Sequence, residues 1–334
     1  MMNNELNKTW LELESNNDIG HNYIQKMICI ESLYRVYIGV IGIPGKRFLD
    51  IEIPINQIEK FTLVTTTKGF IMNITEPTVK HDGYAACILQ ASSVDQNEVF
   101  SIVAKDILNS LEKEKSEERY VEILKERIEK WRDFFKEIHE KKLSNNVLIG
   151  LMGELKFLNE LLEHEIYSAL DWWNGPIKAA QDFQDDRVAV EIKATSNLKL
   201  DNVYISNEVQ LDSNDREKLF LIAYRLERDD ASGKSLPEMI EIISKKLSET
   251  QRNIFRAKLL CLGYDEENSE SYSERFVVKE SKCYDIKANF PCLTRKNIPL
   301  SVHDIKYKLE LSHCEQFKID LEDVIRFLEE YIYG

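Results

Sequence analysis

The residues of this chain best suited to chemistry lie between positions 154 and 193. Val188-Ala-Val-Glu191-Ile-Lys193-Ala-Thr195 reads as an apolar strand that carries an acid and an ammonium group two residues apart. Side chains alternate between the two faces of a strand. Val188, Val190, Ile192 and Ala194 therefore share one face, and Ala189, Glu191, Lys193 and Thr195 share the other. Asp182 precedes Glu191 by nine residues. The turn formers between them, Asp185 and Asp186 among them, predict a hairpin that sets Asp182 beside Glu191. Two carboxylates suit Mg2+, which prefers oxygen ligands and keeps several waters, with Mn2+ as a substitute. Such an ion stabilises charge on a phosphate and lowers the pKa of a bound water. Lys193 can hold that water or neutralise developing negative charge. The chemistry this set could perform is phosphodiester hydrolysis. The competing reading is an ordinary ion pair on a solvated strand, worth little.

A third carboxylate belongs to the helix that must position it. Residues 145–163 carry apolar side chains at helical spacing. The helical neighbours of Glu154 are Val147, Gly150, Leu151, Phe157, Leu158 and Leu161, all apolar or glycine. Lys156, Asn159, Glu160 and Glu163 make up the polar face. Glu154 thus falls on the face expected to be buried, where a carboxylate needs a partner. That partner is a metal, a lysine or a hydrogen-bond network in one reading, and a structural arginine in the other. Gly150 and Gly153 leave room around it.

Glu154 on a helix, Asp182 in Gln181-Asp182-Phe183, then Glu191-Ile-Lys193 on a strand resembles the active site of the PD-(D/E)XK nuclease superfamily. The wider segment is more specific: Gly150-Leu-Met-Gly-Glu154-Leu, Trp172-Trp-Asn-Gly175-Pro, Asp182-Phe and Val190-Glu-Ile-Lys-Ala-Thr195. It is similar to PD-(D/E)XK family members of bacterial restriction-modification and phage-defence clusters, closely over roughly residues 145–215. The resemblance implies a restriction-endonuclease-like α/β core (α+β overall), a central mixed sheet flanked by helices. It implies Asp182 and Glu191 as metal ligands, Lys193 as the group that positions water or stabilises charge, and Glu154 as an auxiliary ligand. It implies DNA as substrate, and other restriction or defence subunits as partners. An RNA-cleaving nuclease and a non-catalytic DNA-recognition or scaffold subunit are the rival readings. One active site cuts one strand, so double-strand cleavage calls for a homodimer or two events. Two departures stand out. Gln181 replaces the proline of the motif, and the Gln-x-x-x-Tyr element of one branch is absent. In its place stands Tyr204-Ile-Ser206-Asn-Glu-Val-Gln210, whose Ser206 and Gln210 are read mainly as support for a turn.

Around this core the chain divides into four parts: 1–113, 114–143, 144–265 and 266–334. The first is an N-terminal antiparallel β-rich domain, with a helix in residues 1–18 and strands at 34–43, 48–53, 61–66, 70–74 and 85–91. A helix near 97–113 closes it. Gly39-x-x-Gly42-x-x-Gly45-Lys46 fails the phosphate-loop pattern and reads as a hairpin turn. Residues 112–142 hold ten acids and ten basic residues around an apolar stripe from Tyr120 to Ile138, one linking amphipathic helix. Lys218–Tyr224 reads as a buried core strand, followed by helices at 240–247 and 248–262. A β-rich extension with strands at 276–281, 283–288 and 307–311 and a terminal helix at 319–333 ends the chain. Trp172 and Trp173 could wall a cleft, although large aromatics more often fill cores.

Composition sets limits on function. The chain has 334 residues and a net charge of −14, which opposes tight non-specific binding to a polyanion. Residues 144–211 hold eleven acids against five Lys plus Arg, whereas 279–308 hold seven Lys plus Arg against three acids. The latter stretch interleaves Tyr284, Phe290 and Tyr307 and could follow a phosphate backbone. The six cysteines are scattered with no Cys-x-x-Cys pair, so a zinc site is unsupported and reduced thiols in a cytoplasmic protein are expected. There is no apolar run long enough to span a membrane, and no signal-peptide pattern.

Overall fold

Strand-like alternation in the first third and mixed helical and strand periodicities thereafter give two sheets of different kinds. In the computed structural model the described residues are 2–15, 23–28, 31–61, 64–76, 81–112, 114–137, 142–175, 180–213, 216–299 and 301–333. The chain forms two compact units. The first comprises Met1–Lys141 with Arg256–Asp265, and the second Lys142–Phe255 with Glu266–Gly334.

The first unit opens with helix α1 (Met2–Glu14). Six strands follow: β1 (Tyr23–Met27), β2 (Val36–Ile41), β3 (Lys46–Pro54), β4 (Val64–Thr66), β5 (Phe70–Thr75) and β6 (Tyr84–Ala91). They pair antiparallel in the order β1-β2-β3-β6-β5-β4. Five were expected; the sixth is β1, Tyr-Ile-Gln-Lys-Met. It is a partly exposed edge strand with no apolar alternation to reveal it. The glycine-rich run is the β2–β3 turn, with Gly42 at φ +79°, a conformation open to glycine. Helix α2 (Asn97–Leu111) packs against β3 and β6, and α3 (Glu117–Glu137) packs against α2. Trp131 donates its indole N–H to Asp106 at 2.9 Å, tying α3 to α2. Ile138 of the expected linking helix and Cys29 lie outside the described residues.

The second unit holds the motif residues. Its elements are α4 (Asn145–Glu163), the short α5 (Ala169–Trp172), β7 (Phe183–Gln184), β8 (Val188–Thr195), β9 (Asn202–Ile205) and β10 (Lys218–Arg228). Then come α6 (Leu236–Lys246), α7 (Glu249–Cys261, which from Arg256 on belongs to the first unit), β11 (Phe276–Asp285), β12 (Tyr307–Glu310), β13 (Lys318–Ile319) and α8 (Leu321–Tyr333). Five strands form a mixed sheet ordered β13-β11-β10-β8-β7, and β9 with β12 forms a separate two-stranded ribbon. The β8–β10 pair is parallel and the other pairs are antiparallel. This is a mixed α/β architecture consistent with a PD-(D/E)XK-like fold.

Local rules explain most of these elements. Ser144 caps α4 by accepting the Val147 N–H. A capping box of Ser235 and Glu238, with Pro237 in the first turn, starts α6 four residues earlier than apolar spacing alone suggests. The two strands expected at 276–281 and 283–288 are one strand, β11. Continuous pairing with β10 carries the chain through Ser281 and Lys282, and a bulge at Arg225/Leu226 absorbs the irregularity. One face of the α4 reading also shifts. Asn159, expected on the polar face, is buried because its amide bonds Glu163 and accepts from Lys246 of α6. Cys87, Cys261, Cys283, Cys292 and Cys314 are free thiols. Among the described residues no helix is long and apolar enough to cross a membrane.

Candidate active site

The strand β8 supplies Glu191 and Lys193. Its other face, with Ile192 and Ala194, receives α4. Gly153 makes that approach possible: a Cβ there would meet Ala194 Cβ at 2.6 Å. The adjacent residue on α4 is Glu154, so close helix-strand packing delivers a carboxylate to the strand. Phe183 on β7 packs edge-on to Phe157 of α4, with ring centroids 5.1 Å apart.

The hairpin forms as the turn residues predict. Phe183 pairs with Val190 and Gln184 with Ala189, so the register puts Asp182 level with Glu191. The β7 strand stops there. The edge of β8 beyond Val190 has no backbone partner from β7, and the Asp182 carboxylate takes over. Its Oδ2 accepts the Ile192 N–H at 2.8 Å. At the turn, Asp185 accepts the N–H groups of Arg187 and Val188 at 2.9 and 2.7 Å, which holds the hairpin closed.

Lys193 Nζ lies 2.7 Å from Glu191 Oε1. The contact is close enough for the two charges to interact directly. Glu191 is 1% exposed; its Oε1 meets the Lys193 ammonium, and among the described residues its Oε2 has no hydrogen-bond partner. Lys193 Nζ also donates to Gln210 Oε1, at 3.0 Å. That oxygen also accepts the Ser206 N–H at 2.8 Å. Gln210 thus reaches the lysine, a role the sequence reading gave little weight. Ser206 contributes its backbone.

Glu154 is partly buried, and its Oε2 accepts the indole N–H of Trp173 at 2.7 Å. Trp173 is fully buried and bridges to Phe183. Gly175 leaves space for this bond, since a Cβ there would sit 2.8 Å from Glu154 Oε2 and 3.0 Å from the indole nitrogen. The sequence signal for this partner was the Trp172-Trp-Asn-Gly175 run, but nothing in it distinguishes a core filler from a donor. Trp172 instead lies near Tyr331 of α8.

The three carboxylates are perturbed alike. Burial, then the Asp182 charge, pushes Glu191 up to about 8, against an offset from Lys193. Burial also raises Glu154 well above the usual carboxylate range, helped by the Asp182 and Glu191 charges and opposed by the Trp173 bond. Burial raises Asp182, opposed by the Lys193 charge and the Ile192 N–H. Each group would ionise more readily beside added positive charge.

Among the described residues no group of three or more His, Cys, Asp or Glu side chains is gathered closely enough to hold a metal ion. The site does not need such a cage to fit Mg2+, which is commonly held by one or two carboxylates plus waters and substrate phosphate. The donor set is all hard oxygen, and the buried Glu191 carboxylate faces the Lys193 ammonium through Oε1 while Oε2 has no hydrogen-bond partner among the described residues. A hard divalent cation fits that carboxylate.

No curated protein and no solved structure matches the chain. One family does match, over residues 6–312, and its description is "Putative PD-(D/E)XK family member, (DUF4420)". That match takes in both the first unit and the carboxylate-lysine site of the second, so the chain belongs to this family, whose description suggests a nuclease fold.

Proposed function

We propose that the second unit hydrolyses DNA phosphodiester bonds with Mg2+ as cofactor. One observation carries the reading: a buried Glu191 stands level with Asp182 and 2.7 Å from the Lys193 ammonium. Asp182 and Glu191 are the residues to hold the ion, with Glu154 as an auxiliary acid. A bound Mg2+ would supply charge stabilisation at the scissile phosphate and a more acidic water. Lys193 presents its ammonium to the negative charge that develops on the phosphate. Gln210 occupies one Nζ hydrogen and so fixes where the others point. Trp173 fixes the rotamer of Glu154 in the same way. The setting we propose is bacterial restriction or phage defence, on the family resemblance.

Plasmid nicking by the purified protein in Mg2+ or Mn2+, with EDTA and Lys193→Ala as controls, tests the reading. Metal-dependent nicking that disappears in Lys193→Ala is expected. Calorimetric titration with Mg2+ adds a readout that does not depend on turnover. Binding to the wild type but not to Asp182→Ala is expected, and equal binding to both proteins would remove Asp182 from the site.

A further inference from the structure

The ribbon of β9 and β12 has two unlike faces. Its inner face, with Val203, Ile205 and Leu309, is buried with Leu219 and Leu221 of β10. Its outer face sets Tyr204 directly opposite Lys308. Both are exposed, Tyr204 to 51%. Residues opposite each other on neighbouring strands lie within about 5.5 Å at Cβ, so ring and ammonium present one combined surface.

This surface is tied to the active site. Ser206 follows β9 by one residue, and its N–H bonds the Gln210 oxygen that also receives Lys193. Leu198, in the turn between β8 and β9, is 94% exposed.

The lysines at the ribbon are also uncommitted, while Glu310 of β12 lies 4.0 Å from His313. Among the described residues of the second unit, the lysines whose side chains make no ion pair, hydrogen bond or ring contact are Lys199, Lys234, Lys287, Lys306 and Lys308. Lys199, Lys306 and Lys308 lie on the ribbon or within three residues of it. Lys234 and Lys287 apart, the described lysines elsewhere in the unit are engaged, as in Lys156–Glu160, Lys218–Asp285 and Lys246–Glu163.

We propose that the outer face of the β9–β12 ribbon binds an unpaired DNA strand, with Tyr204 stacking on a base and Lys308, Lys306 and Lys199 meeting phosphates. This rests on the phosphodiesterase reading of the neighbouring site. The strand is unpaired because base faces inside a duplex are covered by their neighbours, whereas a tyrosine on an exposed ribbon needs an open one. Stacking also supplies affinity that does not depend on net charge. That suits a chain of net charge −14, for which duplex binding by counterion release alone is weak.

Fluorescence anisotropy of the full chain in EDTA, with a labelled single strand and the duplex of the same sequence, tests the ribbon apart from cleavage. The single strand should bind more tightly than the duplex. Tyr204→Ala should weaken it about 5- to 100-fold with little change in salt dependence. Lys308→Ala should lower the slope of log affinity against log salt by about 0.7. Lys234→Ala, a free lysine away from the ribbon, should leave both unchanged. Circular dichroism checks that these exposed substitutions keep the fold. Wild-type affinity in Tyr204→Ala, or a preference for duplex, overturns the proposal. If Lys193→Ala abolishes nicking while Tyr204→Ala binds normally, the ribbon falls and the active site stands. Ribbon-dependent binding without metal-dependent nicking supports the ribbon and removes the catalytic reading.

Discussion

Glu191→Gln should flatten the dependence of stability on pH in metal-free protein. The Glu191 carboxyl has a folded-state pKa of about 8, against 4.5 for the free side chain. Between those values the folded state binds more protons than the unfolded state, so stability falls as pH rises and the loss is complete above about pH 8. At about 1.36 kcal/mol per pKa unit the full loss is about 4–5 kcal/mol. Glutamine has the same shape and no charge. Its buried amide finds no better partners than the carboxylate had, which costs about 1–3 kcal/mol at every pH. The two proteins should therefore be nearly matched, or the wild type ahead, at pH 5. At pH 9 the variant should be ahead by about 1–4 kcal/mol. Urea unfolding in EDTA at several pH values measures this directly. Parallel pH profiles for the two proteins would refute the argument, because they would mean that Glu191 is not held against its charge. Added Mg2+ should rescue the wild type at pH 9, by about 2.7 kcal/mol at one hundred times the dissociation constant, and should not rescue the variant.

Three further predictions follow from individual contacts. Trp173→Phe keeps an aromatic ring in the core but removes the indole N–H that Glu154 accepts, so a cost of about 1–3 kcal/mol in urea unfolding and a slower nicking rate are expected; unchanged values in both would exclude Trp173 as an orienting group. The two helix glycines should respond oppositely in thermal melts. Gly153→Ala forces α4 off Ala194 and should cost about 1–3 kcal/mol, whereas Gly150→Ala meets open space and should gain about 0.5–1 kcal/mol from helix propensity. Gln210→Leu deprives both Lys193 Nζ and Ser206 N–H of their acceptor; a nicking rate down by roughly tenfold is expected with Mg2+ affinity unchanged in titration, since an unoriented general group typically loses a factor of that order or more.

Local sequence determined the elements that carry the site. Apolar spacing placed α4 over Asn145–Glu163, and alternation placed β8 over Val188–Thr195. Asp185 of the β7–β8 turn bonds its own neighbours, so the hairpin that levels Asp182 with Glu191 was legible from adjacent residues. These features depend on interactions a few residues apart, and periodicity encodes such interactions directly.

Tertiary structure decided which side chains complete the site. The Trp173–Glu154 and Lys193–Gln210 bonds span 19 and 17 residues, and each depends on where packing aims a side chain. Two glycines looked equivalent in sequence, yet only Gly153 lies against a neighbour, because the contact belongs to a helix resting on a strand. The edge strand β1 had no apolar alternation, and only its ladder to β2 makes it a strand. The ribbon of β9 and β12 joins segments about a hundred residues apart, and no local pattern could pair Tyr204 with Lys308. Residue type and local spacing thus selected the chemistry, whereas the burial that holds Glu191 against its charge arose only when distant segments closed over it.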